Sequence, residues 1–220
     1  SMGVYRKNVR AVGGHPLISY GLGKARQLQS MLYTELGVAL FVVVATDDAE
    51  VAARSRIDGE CFGGLVVLDR PDVSPAETID QMLADTVARL HTAPGTIDWP
   101  TEWRWVGVHQ LTSPTLQVGS MFQMISEFVA DPSMDSSATM TIDTALRWTD
   151  DGPLASTRSN RQYSDDVQYR ETGGLHLVRD YPRSDGWYGD GCWMIGETHH
   201  PYLLAHDEAI DIDTPADLAA

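Results

Sequence analysis

Two carboxylates near the end of the chain, Asp211 and Asp213, stand two residues apart. On an extended segment such residues point to the same side. Two carboxylates on one side, beside a helix start, repel unless a cation or a hydrogen-bond network holds them. Mg²⁺ favours one or two carboxylates completed by substrate phosphate oxygens. The alternative is that Asp213 helps cap the helix and Asp211 is solvated. Three further polar clusters follow apolar runs: Thr46-Asp47-Asp48, Asp69-Arg70, and Gln110 to Pro114. In open α/β sheets ligands bind at the carboxyl ends of strands, where these clusters would fall. Singly, each has a plain structural reading: Asp-Asp as a helix cap, Arg70 as a surface ion pair.

Other chemistries find no support. His199 and His200 are adjacent, so they point apart, and read as a solvated loop; His15 precedes a helix and reads as structural. There is no Gly-x-Ser-x-Gly elbow, and Gly173-Gly174 lacks the spacing of a dinucleotide fingerprint. Cys61 and Cys192 form no CxxC pair, which fits a reduced, cytoplasmic chain. The 16 Lys and Arg against 31 Asp and Glu give a net charge of −15, which repels nucleic acid and anionic lipid. The basic residues are 14 Arg and only two Lys, Lys7 and Lys24. The longest apolar run, 39–45, falls far short of the roughly 18 residues of a membrane span. No basic segment followed by an apolar stretch opens the chain, so no secretory signal is expected.

The elements that must position these residues alternate. Residues 16–29 read as an amphipathic helix with Pro16 at its first position. The run 39–45 (ALFVVVA) reads as a parallel strand buried on both faces. Residues 49–57 read as a helix and 65–68 as a strand. Ser74-Pro75-Ala76-Glu77 has the form of a capping box for a helix over 76–91. Residues 104–109 read as a strand and 117–130 as a helix. Strands follow at 137–142, 174–178, 192–196 and 202–205, and Thr214 caps a terminal helix. Between 143 and 172 lies a stretch rich in Asp, Ser and Arg with few apolar anchors, too long for an ordinary connection. It reads as an arm, residues 143–172, projecting from a domain formed by 1–142 and 173–220. The expected fold is a Rossmann-like, three-layer α/β domain with a mostly parallel sheet.

These pieces, in this order, resemble the acylneuraminate cytidylyltransferases, the CMP-sialic acid synthetase family. Gly3 to Asn8, then Gly13-Gly14-His15-Pro16-Leu17, is similar to the family's G-x-x-x-K-N segment and "GGKPL". Val44-Ala45-Thr46-Asp47-Asp48 is similar to "VSTDD", Arg70-Pro71 to Glu77-Thr78 to "RP…DT", and Gln110-Leu111-Thr112-Ser113-Pro114 to "QPTSP". Arg161-Gln162 with Arg170 to Leu177 is similar to "RQ…ENGAIY". Ile210 to Leu218 reproduces "IDIDTPEDL" closely.

The resemblance implies a cytidylyltransferase that moves CMP from CTP to a sugar acid and releases pyrophosphate. It implies Lys7, Asn8 and Arg70 at CTP, with Lys7, Arg70 and Gln110 closest to the reaction. Gln110, Ser113, Arg161, Gln162 and Thr172 would face the acceptor, and Asp211 and Asp213 would hold Mg²⁺. It also implies a homodimer in which the arm reaches the neighbouring subunit. Several positions depart from the family. The sequence opens at the end of the family's phosphate loop, with Met2 at the loop lysine. Asp143-Thr144 replaces "HP", Leu111 replaces the proline of "QPTSP", and Thr172 replaces the asparagine of "ENG". The last three concern the acceptor side, so another ulosonic acid or a phosphonate is a rival acceptor. A nucleotide-binding homologue without catalysis is the rival class.

Overall fold

The computed structural model of the chain describes residues 6–59, 65–70, 78–92, 104–143, 148–150, 152–153, 168–179, 194–214 and 216–217. A single 3-10 turn, Lys7–Val9, leads to the antiparallel pair β1 (Ala11–Val12) and β2 (His15–Pro16). Helix α1 spans Leu17–Leu36. Pro16 is therefore its cap residue and not its first turn, and the helix runs seven residues past the expected end. Leu32 explains the extension: it is buried in the main core, and burial of an apolar face stabilises a helix beyond its local preference. His15 stacks edge-on to Tyr20, at 6.2 Å between ring centres, which fits its structural reading.

Strand β3 (Val42–Thr46) pairs in parallel with β4 (Leu65–Asp69), and α2 (Ala49–Gly59) connects them. The expected strand, helix and strand thus form a βαβ unit. The expected double-sided burial is corrected: Val42 to Ala45 are half-buried, and Thr46 is the buried residue of the strand. Among the described residues β3 has β4 as its one partner. Val44 joins a cluster with Ile18, Leu22 and Val51, so the cover that these residues give β3 comes from α1 and α2.

Helix α3 spans Ile79–Thr92 and starts later than predicted. Its reciprocal cap is Thr78 with Gln81: the Thr78 amide donates to Gln81 Oε1 at 2.8 Å, and the Gln81 amide donates to Thr78 Oγ1 at 3.2 Å. The predicted box, 74–77, lies outside the described residues. Strand β5 (Trp105–His109) and helix α4 (Val118–Ala130) follow. Then come β6 (Ser136–Asp143), the two-residue pair β7 (Trp148–Thr149) and β8 (Gly152–Pro153), β9 (Gln168–Arg179) and β10 (His199–Leu203).

A four-stranded sheet has the order β10-β6-β9-β5. The β10–β6 pairing is parallel, whereas β9 runs antiparallel to both β6 and β5. The sheet is thus mixed, but mostly parallel in direction as expected: β10, β6 and β5 run one way and β9 alone is reversed. Strands paired in parallel need a crossover, but a chain that leaves the end of β6 and returns beside it pairs antiparallel. Residues 168–172, at the edge of the range read as an arm, belong to β9, and Gln168 to Glu171 pair with Asp143 to Met140. Most of 144–167 lies outside the described residues, as do Cys61, Cys192 and the chain beyond Asp217. Of the expected strand 192–196, the described residues 194–196 are irregular; the expected strand 202–205 is present but starts earlier, as His199–Leu203, where the backbone meets β6. His199 and His200 are accordingly strand residues and not a solvated loop, and His199 Nδ1 lies 2.9 Å from Ser136 Oγ.

The main core lies between this sheet and helices α1 and α4. Leu32, Leu116, Phe128, Leu177, Met124 and Ile125 are its most buried members. Both ends of α4 are braced. Glu208 accepts from the Gln117 amide and the Ser120 hydroxyl, each at 3.0 Å, at the positive end of the helix dipole. Arg179 donates to the Phe128, Asp131 and Met134 carbonyls at the other end and lies 4.6 Å over the Phe128 ring. No helix among the described residues is long and apolar enough to cross a membrane.

Candidate active site

The segment Ile210–Asp217 is fixed by alternation. Ile212 is buried at 2% exposure, and its amide donates 2.8 Å to the Thr112 carbonyl. Asp211 and Asp213, on either side of this anchor, face the other way, with Asp211 half-buried and Asp213 exposed. The Thr112 hydroxyl hydrogen-bonds Asp211. The other Asp211 oxygen, Oδ1, is buried and meets no donor. Burial pushes the Asp211 carboxyl above its usual range, and Asp213 pushes the same way; Thr112 and Lys7 oppose them. A buried carboxylate oxygen without a donor, beside a second carboxylate, fits a divalent cation held by oxygen ligands. Among the described residues no group of three or more His, Cys, Asp or Glu forms a metal cluster.

Lys7 reaches this pair from the other end of the chain. Its Nζ donates to Asp213 Oδ1 at 3.0 Å and to the Ile212 carbonyl at 3.4 Å. The turn carrying Lys7 and Asn8 starts at Arg6, whose backbone is left-handed at φ 53°. Arg6 forms ion pairs with Asp48, at 3.2 Å, and Glu50, and so ties this turn to the start of α2. Asp48 itself accepts from the Glu50 amide at 2.8 Å and the Val51 amide at 3.3 Å. The Thr46-Asp47-Asp48 cluster is therefore a helix cap, the plainer of its two readings. Arg6 holds the Asp48 carboxyl below its usual range through their hydrogen bonds.

Arg70 follows β4, and its amide donates 2.7 Å to the Thr46 carbonyl, which places it where β3 and β4 both end. Gln110 follows β5 and lies over the bulge in β9. A Cβ added at Gly173 would come 3.1 Å from Gln110 Oε1, and Gly173 has φ 69°. His109 Nδ1–H donates 2.6 Å to the Gly174 carbonyl; burial drives the imidazole down to about 4, so the ring is neutral and fixes β5 against this bulge. The Ser113 hydroxyl is buried without a hydrogen-bond partner. Thr172 is buried, and its hydroxyl donates to Thr139 at 2.8 to 3.0 Å, so it builds the bulge.

Two groups emerge. Lys7, Asp211 and Asp213 meet directly, and Thr112 joins them to the loop that carries Gln110. Arg70 and Asn8 are placed at neighbouring strand ends and in the linking turn. Arg161 and Gln162 lie outside the described residues. Sequence reasoning missed Thr112, although it sits inside the polar cluster 110–114. It also missed how Asp217 works. Asp217 Oδ2 accepts from the Asp213 and Thr214 amides at 3.0 and 2.6 Å and from the Thr214 hydroxyl at 2.9 Å. The Thr214-x-x-Asp217 spacing was the available signal.

No family model and no curated protein matches the chain. Among solved structures it is similar to 4-diphosphocytidyl-2C-methyl-D-erythritol synthase, with a TM-score of 0.64 at 12% identity over 97% of this chain and 91% of that one. It is also similar to CMP:2-keto-3-deoxy-manno-octonic acid synthetase complexed with CTP, with a TM-score of 0.59 at 14% identity over 100% of this chain and 91% of that one. At such identities the likeness carries the fold, and the chain has the Rossmann-like α/β fold of these synthetases.

Proposed function

We propose that this protein is a cytidylyltransferase that transfers CMP from CTP to a sugar acid or a related acidic acceptor. The carrying observation is the meeting of Lys7, Asp211 and Asp213 at one point of a fold shared with two cytidylyl-handling synthetases. An acceptor oxygen attacks the α-phosphorus of CTP, the bond to the β-phosphate oxygen breaks, and pyrophosphate leaves. Little covalent work falls to the protein, which acts by positioning and charge neutralisation.

Lys7 binds phosphate oxygens as a compact cation, with Asn8 beside it in the same turn. Arg70 lines the triphosphate side. Gln110 and Ser113 face the acceptor, with Thr172 holding the bulge beneath, and Arg161 and Gln162 join them by resemblance alone. Asp211 and Asp213 would hold Mg²⁺, which offsets phosphate charge when bound. A second copy of the chain is the proposed partner. Ile142, Tyr169 and Leu203 are each about half exposed, and strand register sets them on one side of β6, β9 and β10, at the base of residues 144–167.

The deciding experiment is pyrophosphate release from CTP and Mg²⁺ across a panel of ulosonic acids and phosphonates. Release with one acidic acceptor, and with CTP over ATP, supports the reading. CTP binding without release from any acceptor makes the protein a nucleotide-binding homologue, and equal binding of all four nucleotides removes the cytidine assignment.

A further inference from the structure

Lys24 lies on α1, outside the groups assigned above, and is the second of only two lysines. Its Nζ donates to two main-chain carbonyls, Ser113 at 3.0 Å and Pro114 at 2.7 Å. One turn earlier on the same helix face, Gly21 meets the same loop: a Cβ there would lie 2.2 Å from Leu111 Cδ2. The glycine thus lets α1 approach the loop closely enough for an ammonium to reach its carbonyls.

The loop is a connector. The Ser113 amide closes it on the Gln110 carbonyl at 3.2 Å. Its middle residue, Thr112, accepts from the Ile212 amide at 2.8 Å and hydrogen-bonds Asp211. An unbroken series of contacts therefore runs from the Lys24 ammonium through the loop to the acidic segment.

We infer that Lys24 is a positioning residue: from α1 it clamps the 110–114 loop and, through Thr112, sets the place of Asp211 and Asp213. This inference rests on the reading of that pair as a cation site. A tetrahedral ammonium suits the task, because it spreads its donors over two separate carbonyls, where a guanidinium offers a planar fork. The titratable groups that face it are Glu208, which braces the adjoining start of α4, and the neutral His109 at the end of β5. The ammonium is partly buried, and burial lowers its pKa to about 8 against the pull of Glu208. It thus carries its charge at neutral pH.

The test is Lys24→Met, which keeps the length and removes the charge and donors. Two readouts are used: amide hydrogen exchange by NMR in the metal-free protein, and Mn²⁺ binding by electron paramagnetic resonance without nucleotide. The expected result is exchange at least about tenfold faster at Ser113 and Ile212 with Leu177 still protected, and Mn²⁺ affinity lower by about fivefold or more. Lys24→Arg, which restores charge and donors, should recover part of both losses. Unchanged Ile212 exchange in Lys24→Met overturns the inference. Faster Ile212 exchange with unchanged Mn²⁺ affinity also overturns it, since the acidic pair would then be placed without the clamp. If the methionine variant does not fold, Lys24→Gln is judged by the same criteria. If the unaltered protein binds no Mn²⁺, the cation reading fails, and Ile212 exchange alone decides whether Lys24 holds the segment.

Discussion

At the residue scale, Asp211 and Gly173 carry the sharpest expectations. Asp211→Asn keeps shape and removes one charge from a half-buried carboxylate whose neighbour is Asp213. Metal-mediated stabilisation is worth several kcal/mol, and each 1.36 kcal/mol is about tenfold in rate. Turnover should therefore fall by roughly a hundredfold or more, and thermal melting without Mg²⁺ should hold or rise, because carboxylate repulsion is relieved. Near-normal turnover at low Mg²⁺ would make the pair structural. Asp217 offers a contrast. Its carboxylate receives three hydrogen bonds from the Asp213–Thr214 corner, so it sets the geometry of the site without facing it. Gly173→Ala meets two obstacles, a left-handed backbone and the Gln110 side chain. It should cost about 1–2 kcal/mol in urea unfolding and raise the acceptor KM more than the CTP KM. Equal changes in both would remove Gln110 from the acceptor side.

At the element scale, α4 depends on Arg179 more than on its own sequence. No residue of the last turn is basic, and the cap residue, Asp131, offers no positive end. The guanidinium of β9 supplies it. Arg179→Met should cost about 2–3 kcal/mol, since it leaves part-buried carbonyls short of donors and removes the cation from the Phe128 ring. Calorimetry checks this; a change below about 0.5 kcal/mol would mean that water replaces the arginine. Such a brace is invisible in the sequence, where Arg179 and Phe128 stand 51 positions apart. What was legible were the segments whose pattern is local. Apolar spacing placed the start of α1 and both ends of α4, β4 and β5 within a residue, and Asp211 and Asp213 were singled out by spacing alone. The direction of β9 was not legible, because alternation is the same for parallel and antiparallel strands. Nor was the end of α1, which Leu32 decides by long-range packing. Thr112 escaped notice because its partner, Ile212, lies a hundred positions away in the chain.

At the scale of the whole molecule, pH should act on stability through His109. Its folded pKa is about 4 against an ordinary 6.5, because burial disfavours the imidazolium. Between these values the unfolded chain binds a proton that the folded chain does not. Stability therefore falls as pH drops from about 6.5 to about 4, with a slope of up to one proton and a total of up to about 3 kcal/mol. His109→Gln should flatten that part of the curve in urea unfolding at several pH values. An unchanged slope would show that the acid sensitivity comes from elsewhere.

The contact between Lys7 and Asp213 spans 206 positions of the chain. Contacts so distant in sequence are the slowest to close, because the entropy of joining the ends is lost before the contact gives anything back. The sheet of β5, β6, β9 and β10 and the helices against it need no residue beyond Ala209. Folding and competence are thus separable in time: a molecule can be compact while its phosphate-handling corner is still open. During synthesis the order is stricter, since Asp211 and Asp213 leave the ribosome after every strand described here. Pulsed hydrogen exchange during refolding should find Leu177 protected before Ile212, with a lag that Lys7→Met lengthens.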